Sequence, residues 1–395
     1  THSAMLIEGE EEQQQQQASS PSSSSSSSSA SVLFLPDQAG GSGEERTSLV
    51  EALGSLRDIY LGDSLQRLCR PIEQMFPTQE GFQAAVPSKH DLQALFRVMQ
   101  TELLTGLAEG GPLLLPHLVR GVVKAVHLFC TKVEAMTNTS EGARKLYALR
   151  GWMLGPEKEH NLQLLQLVAF LHQGLKRLPQ DLAAAVGGRE GGREEEALLM
   201  EAATALETLA VTGFVHPYMM DIAAELGGIL AEMHLENYAP GRQEQQKQQD
   251  SDGQGGGGNS RFITAFQTAV TGLRRHHLSK FPTQADFVSR AFKWLTGHLL
   301  RLYVSHAALL RPLNEAGKTK LTNDMAMLET SLSSIHPKLS ELGAPYLELK
   351  AFRELCFYGD EQNPLTVNGL AKERFTAHLR PSTLLDALFA RAPLE

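Results

Sequence analysis

The sequence predicts an all-α protein, an elongated rod of stacked helical bundles. Three observations carry that prediction. Apolar residues recur at spacings of three and four along most of the chain. Alternating, strand-like patterns are nearly absent and β-branched residues are few. The stretches without apolar periodicity are polar runs of Gln, Ser and Gly that punctuate the helices. The 395 residues are enough for two or three domains. The pattern is nearest to a helical-repeat solenoid, but no fixed repeat period is present.

From the N-terminus, residues 1–45 hold acids at Glu8–Glu12, a glutamine run at Gln13–Gln17 and a serine run at Ser22–Ser29. Such composition buries too little apolar surface to offset ordering entropy, so the segment is expected to be disordered. A first helical region is expected over 46–237. In "HDLQALFRVMQTELLTGL", Leu92, Leu95, Phe96, Met99 and Leu103 share one face. In "HNLQLLQLVAFLHQGLKRL", Leu162, Leu165, Ala169 and Leu175 do the same, with only a weak preference for one register. Gly187–Arg193 reads as a flexible loop. The acids Glu194–Glu196 suit a helix N-terminus, and Pro217 predicts a break. A polar linker, again expected to be disordered, follows over 238–260.

The C-terminal bundle, 261–395, carries the most regular pattern. Phe292, Leu295, Leu299, Leu302, His306 and Leu309 form one seam, with Leu302 in its middle. Leu321, Met325, Leu328, Leu332, Ile335, Leu339 and Leu342 form a second. Such seams mark antiparallel helices packed along their length, with Pro337 expected to interrupt the second.

Composition narrows the function. A net charge of −9 argues against nucleic acid as the main partner. Cys69, Cys130 and Cys356 are far apart in apolar stretches, which predicts buried free thiols in a reducing compartment. The longest apolar candidates, such as Leu162–Leu171, are broken by Gln, so no membrane-spanning helix is expected. The sequence begins at Thr1 without a secretory pattern, as a fragment of a soluble, cytosolic protein would.

No catalytic, cofactor-binding or metal-binding residue is predicted. Gly317-Lys318-Thr319 ends like a phosphate-binding loop, but the early glycine of that pattern would fall at Pro312, which has no N–H to offer phosphate. A helix, not a strand, is predicted before it. Gly317 is therefore expected to supply a flexible turn and Lys318 to sit in solvent. Among 14 histidines none forms an H-E-x-x-H pair. His276 and His277 are expected as a solvated pair, and His306 as a core histidine bonded locally. Arg274, Arg275 and Lys280 make a basic cluster, read as a solvated helix end rather than a lipid contact.

The stretch "SHAALLRPLNEAGKTKLTNDMAMLE" resembles the C-terminal signature of the family formed by subunit 5 of the conserved oligomeric Golgi complex. The matching positions are His306, Leu309, Leu310, Arg311, Pro312 and Leu313, then Glu315, Gly317 and Lys318, then Asp324, Met325, Ala326, Leu328 and Glu329. Where the family tends to Gly-Glu-Gly-Gly, this chain has Asn314-Glu315-Ala316-Gly317, so the turn's backbone is expected to differ. Upstream, "SLQRLCRPIEQMFP" and "HDLQALFRVMQTELLTG" are similar to family segments, and the resemblance covers residues 46–395.

The resemblance implies a CATCHR-type rod and a non-catalytic subunit of a Golgi vesicle tether. Its setting would be the cytosolic face of Golgi membranes, with peripheral attachment and a part in intra-Golgi retrograde transport. Implied partners are the other subunits of the complex, above all subunit 7 and the lobe of subunits 5 to 8, with SNAREs, Rabs and coiled-coil tethers beyond. His306, Arg311, Pro312, Leu313, Gly317, Lys318, Asp324 and Glu329 carry over as a structural corner between two helices. The competing readings are a generic helical scaffold or a subunit of a different tether, and an enzyme using Lys318 or the histidines.

Overall fold

The structure, a computed structural model, describes residues 43–76, 85–110, 114–144, 154–186, 193–239, 260–358, 367–370 and 372–391. The low-complexity expectation over 1–45, the Gly187–Arg193 loop and the 238–260 linker fall almost wholly outside those residues. Every regular element among the described residues is helical. The chain divides into two compact units, Thr1–Ser55 and Leu56–Glu395. In the first, the described residues belong to the start of helix α1 (Gly43–Met75).

The second unit begins with the remainder of α1. It is followed by α2 (Lys89–Gly110), α3 (Leu115–Met136), the short α4 (Glu141–Arg144), α5 (Pro156–Val186) and α6 (Arg193–Leu209). The predicted face of α2 is correct: Leu92, Leu95, Met99 and Leu103 are fully buried, with Phe96 packed beside them. In α5, Leu164, Val168 and Leu171 are buried together with the predicted Leu162, Leu165, Ala169 and Leu175. Neighbours cover this helix on more than one side, α2 on one and α6 on another, which is why its sequence favours no single register.

At Pro217 the structure departs from the expected break. The chain passes from α6 through a π-turn, Ala210–Val215, directly into α7 (His216–Ala231) and a 3-10 turn, Glu232–Leu235. The His216 N–H reaches back to the Val211 carbonyl. That wider turn brings the proline to the first turn of α7, the part of a helix that best accommodates a missing N–H. One consequence corrects a second expectation. The continuous run Arg193–Leu235 is long and apolar enough to cross a membrane by length and composition, with mean hydropathy 1.4 in its most apolar window. Its apolar face, including Leu199, Leu206, Met219, Ile222 and Leu226, is buried inside the protein.

After the long polar stretch come α8 (Arg261–His276), α9 (Asp286–Ala308), α10 (Glu315–Ser333), α11 (Ala344–Phe357), α12 (Val367–Leu370) and α13 (Pro381–Arg391). Helix α7 packs on both α8 and α9, so the residues before and after that stretch share one core.

The α9 seam is rotated from its predicted position. Leu295 and Leu299 are buried as expected, but the stripe continues through Leu300, Tyr303, Val304 and Ala307. Leu302 and His306 are only half-buried and Leu309 is exposed. Leu302 rests against Gly227 of α7, where an added Cβ would lie 2.8 Å from its Cδ2. The second seam is buried along its whole length, but not on one helix. Helix α10 ends at Ser333, and Leu339 and Leu342 sit on a separate 3-10 turn, Leu339–Leu342. Pro337 thus lies in a connection rather than a kink.

Candidate functional site

The corner between α9 and α10 spans Leu309 to Asn314 and holds Arg311, Pro312 and Leu313, with the other motif residues on the helices at either side. Asn314 stands in extended backbone, and its side chain accepts the Gly317 N–H at 2.8 Å. The glycines expected at this turn are replaced by a side-chain N-cap. Gly317 is then not the turn itself but a buried residue in the first turn of α10. Glycine is needed there because a Cβ would collide with the Tyr238 carbonyl. The same carbonyl accepts the Asn314 N–H at 3.3 Å. Lys318 is not in open solvent: its Nζ pairs with Glu315 at 2.6 Å, and its side chain is mostly covered. With a helix before the corner and the Gly317 N–H already bonded, the backbone offers no phosphate cradle there.

One turn further, the arrangement becomes a clasp. Lys320 donates to Glu236 Oε2 at 2.8 Å and lies 5.1 Å from the Tyr238 ring centroid. Glu236 Oε1 accepts the Arg261 N–H at 2.6 Å, so a carboxylate from the end of the α7 run caps α8. Burial pushes the Glu236 carboxyl up, but the bonds from Lys320 and Arg261 outweigh it and hold the group below its ordinary value.

Ser260 occupies the N-cap position of α8 without capping it. Its hydroxyl goes instead to Asp324 Oδ2 at 2.6 Å, and its N–H to Oδ1 at 3.2 Å. The Tyr238 hydroxyl also donates to Asp324, at 3.0 Å. Asp324 is fully buried, and burial raises its carboxyl above the ordinary value despite these bonds. Tyr238 and Ser260, the two ends of the predicted linker, therefore meet on one carboxylate of α10.

The other motif positions lie around this core. Glu329 accepts from Arg353 of α11 at 2.6 Å. The Arg311 guanidinium sits 4.3 Å from the Phe389 ring centroid of α13. Pro312 is exposed after a cis peptide, and Leu313 is half-buried. His306 bonds across the fold rather than locally: its Nδ1 lies 3.1 Å from His234 Nε2. Burial, then the neighbouring His234, lowers the His306 value. A further tie near the corner is Glu348, buried on α11. It receives Arg380 at 2.7 Å and Thr383 at 2.8 Å, while Arg380 also reaches Ser305 of α9.

Away from the corner, His277 corrects the expected solvated pair. It is buried and hydrogen-bonds Tyr218 Oη at 2.6 Å, while Arg274 and Arg275 beside it are exposed. His172 is buried 3.3 Å from Glu207, too poorly aligned for a hydrogen bond. Glu207 also pairs with Arg290. The cysteines are free, Cys130 and Cys356 buried and Cys69 half-buried, with burial pushing Cys130 up to about 11. Among the described residues no group of three His, Cys, Asp or Glu side chains converges as a metal site would need.

The arrangement is thus a set of polar contacts that fixes helix ends. Sequence reasoning reached Asp324 and Gly317 only as motif letters and missed Tyr238, Ser260, Asn314, Glu236 and Lys320. The available signal was Asp324 itself, a carboxylate between Leu321 and Met325 in an otherwise apolar seam.

Comparison with known proteins finds relatives that share one name. A conserved oligomeric Golgi complex subunit 5 from Mus musculus is 24% identical over 352 residues, 88% of this chain. The protein of the same name from Arabidopsis thaliana is 22% identical over 364 residues, 89% of the chain. That from Dictyostelium discoideum is 20% identical over 344 residues, 79% of the chain. The chain is homologous to subunit 5 of the conserved oligomeric Golgi complex. It covers 38%, 39% and 37% of those relatives' own lengths, so it corresponds to well under half of such a subunit. No protein-family model matches it, and no solved structure matches it.

Proposed function

We propose that the chain is a non-catalytic helical portion of a Golgi vesicle-tethering subunit, acting in intra-Golgi retrograde transport from the cytosolic face of the membrane. The observation that carries this reading is the similarity over 88% of the chain to a protein named as a Golgi complex subunit. The polar contacts of the corner support a structural part for His306, Arg311, Pro312, Leu313, Gly317, Lys318, Asp324 and Glu329. These residues hold the angle at which helices present their outer faces. Because α7 packs on α8 and α9, the regions 46–237 and 261–395 act as a joined scaffold for binding. The partners are the sibling subunits, first subunit 7 and the lobe of subunits 5 to 8, with SNAREs, Rabs and coiled-coil tethers engaged by the assembled complex.

The test is co-expression of the tagged chain with the sibling subunits, followed by affinity purification and size-exclusion chromatography. Stoichiometric recovery of subunit 7 is the expected result. Recovery of another tether's subunits, or of none, overturns the assignment.

A further inference from the structure

We propose that the cleft between α1 and α2 docks an acidic amphipathic helix of a partner protein. The cleft has a volume of about 390 Å³ and is walled by Arg67, Arg70 and Gln74 of α1 and by Arg97 and Thr101 of α2. Arg67 is held across it by Glu102, with bonds of 2.6 and 3.0 Å, and Ser64 donates to the same carboxylate at 2.8 Å. Arg70 and Arg97 are exposed and form no ion pair among the described residues. Of the charged residues lining the cleft, three carry guanidinium groups and one, Glu102, a carboxylate, with Asp63 also near Arg67, in a chain whose net charge is −9. A local excess of positive charge on an acidic protein selects an acidic partner and steers its approach. Arginine in particular reads carboxylates two bonds at a time.

The cleft continues as a stripe. Leu56, Ile59, Asp63, Arg67, Arg70 and Gln74 are all exposed. At 3.6 residues per turn they fall within about 80° of one another around α1, on the side away from the buried Leu68 and Ile72. From Leu56 to Gln74 the stripe runs about 27 Å at 1.5 Å per residue, the length of a five-turn helix. Leu56 and Ile59 are 63% and 62% exposed, large apolar side chains one turn apart at its start. A complementary helix places two apolar side chains over Leu56 and Ile59 and acids over Arg70 and Arg97, and it must avoid an acid opposite Asp63. Charges carried on two neighbouring helices suit a helix better than a flat anionic bilayer. The inference does not depend on the tether assignment, since co-purification can succeed or fail whatever this cleft binds.

The probe is an alanine-based 18-residue helical peptide with two leucines one turn apart near one end and three glutamates on the same face near the other. Its binding to the full chain is followed by fluorescence anisotropy. Saturable binding that weakens with added salt is expected. In Arg70→Glu/Arg97→Glu the affinity should fall at least tenfold, and a peptide with the glutamates replaced by lysine should recover it. Both arginines are exposed, so an unchanged melting temperature confirms that this variant folds. Leu56→Ser/Ile59→Ser should weaken binding with little change in its salt dependence. Equal affinity of the double-glutamate variant for the acidic peptide, equal binding of a peptide with scrambled leucines and glutamates, or arginine-dependent sedimentation with phosphatidylserine vesicles in place of peptide binding overturns the proposal.

Discussion

At Gly317 a hydrogen atom in place of a side chain lets the first turn of α10 lie against the Tyr238 carbonyl. Gly317→Ala forces backbone apart there, and overpacking of this kind costs about 1–3 kcal/mol. Chemical denaturation of the purified chain should show that loss, whereas a glycine chosen for turn flexibility alone would tolerate alanine. Asp324 gives a second prediction. Alanine at 324 removes the acceptor of the Ser260 N–H and of the Ser260 and Tyr238 hydroxyls, which keep only a long 3.5 Å bond to each other, and each buried group left unsatisfied costs about 1–3 kcal/mol. Asparagine keeps an acceptor and removes a charge that burial already disfavours. Asp324→Ala should therefore destabilise by at least about 3 kcal/mol, and Asp324→Asn by less than about half of that. Equal losses for the two variants would show that charge, not hydrogen bonding, holds the clasp.

At the scale of the helix, the buried stripe of α9 separates two leucines that its sequence treats alike. Leu299 is fully enclosed, while Leu302 is half-buried over the backbone of Gly227. Leu299→Ala should cost about 2–5 kcal/mol, as deletions in a closed core do. Leu302→Ala should cost about half as much, because solvent reaches the space it leaves. Thermal melts of both variants decide the register, and a larger loss at Leu302 would favour the seam read from spacing alone. That seam was wrong by a rotation because a helix packed on several sides carries apolar residues around most of its circumference. Helix α9 meets α7, α11 and α13, so a two-position repeat underdescribes it. The face of α2 was legible for the opposite reason: apart from Leu104 its exposed side is mostly polar.

For the whole molecule, buried histidines link stability to pH. Burial lowers His172 from its ordinary value, with Lys176 adding to the effect, and burial with His234 lowers His306. The unfolded chain then binds protons at these positions before the folded chain does. Stability conferred by their neutral forms is complete above the unfolded histidine value, near 6.5, and is lost as pH falls below it. The urea midpoint should be level from pH 8 to 7 and decline toward pH 5.5. His172→Gln should flatten part of that decline. A midpoint that rises on acidification in wild type would show that these histidines are protonated in the fold.

The sequence by itself determined the helical class, the faces of α2 and of α10, and the helix–corner–helix from His306 to Glu329. These are local properties: apolar spacing, capping residues and a contiguous motif. Tertiary structure alone decided how the helices join. The π-turn that carries α6 past Pro217 depends on a hydrogen bond from His216 to Val211. Glu236, from a different element, caps α8. Ser260 and Tyr238 meet at Asp324 although 64 and 86 residues separate them from it. No periodicity encodes such pairs, because each polar group is satisfied by whatever partner folding brings within hydrogen-bond reach.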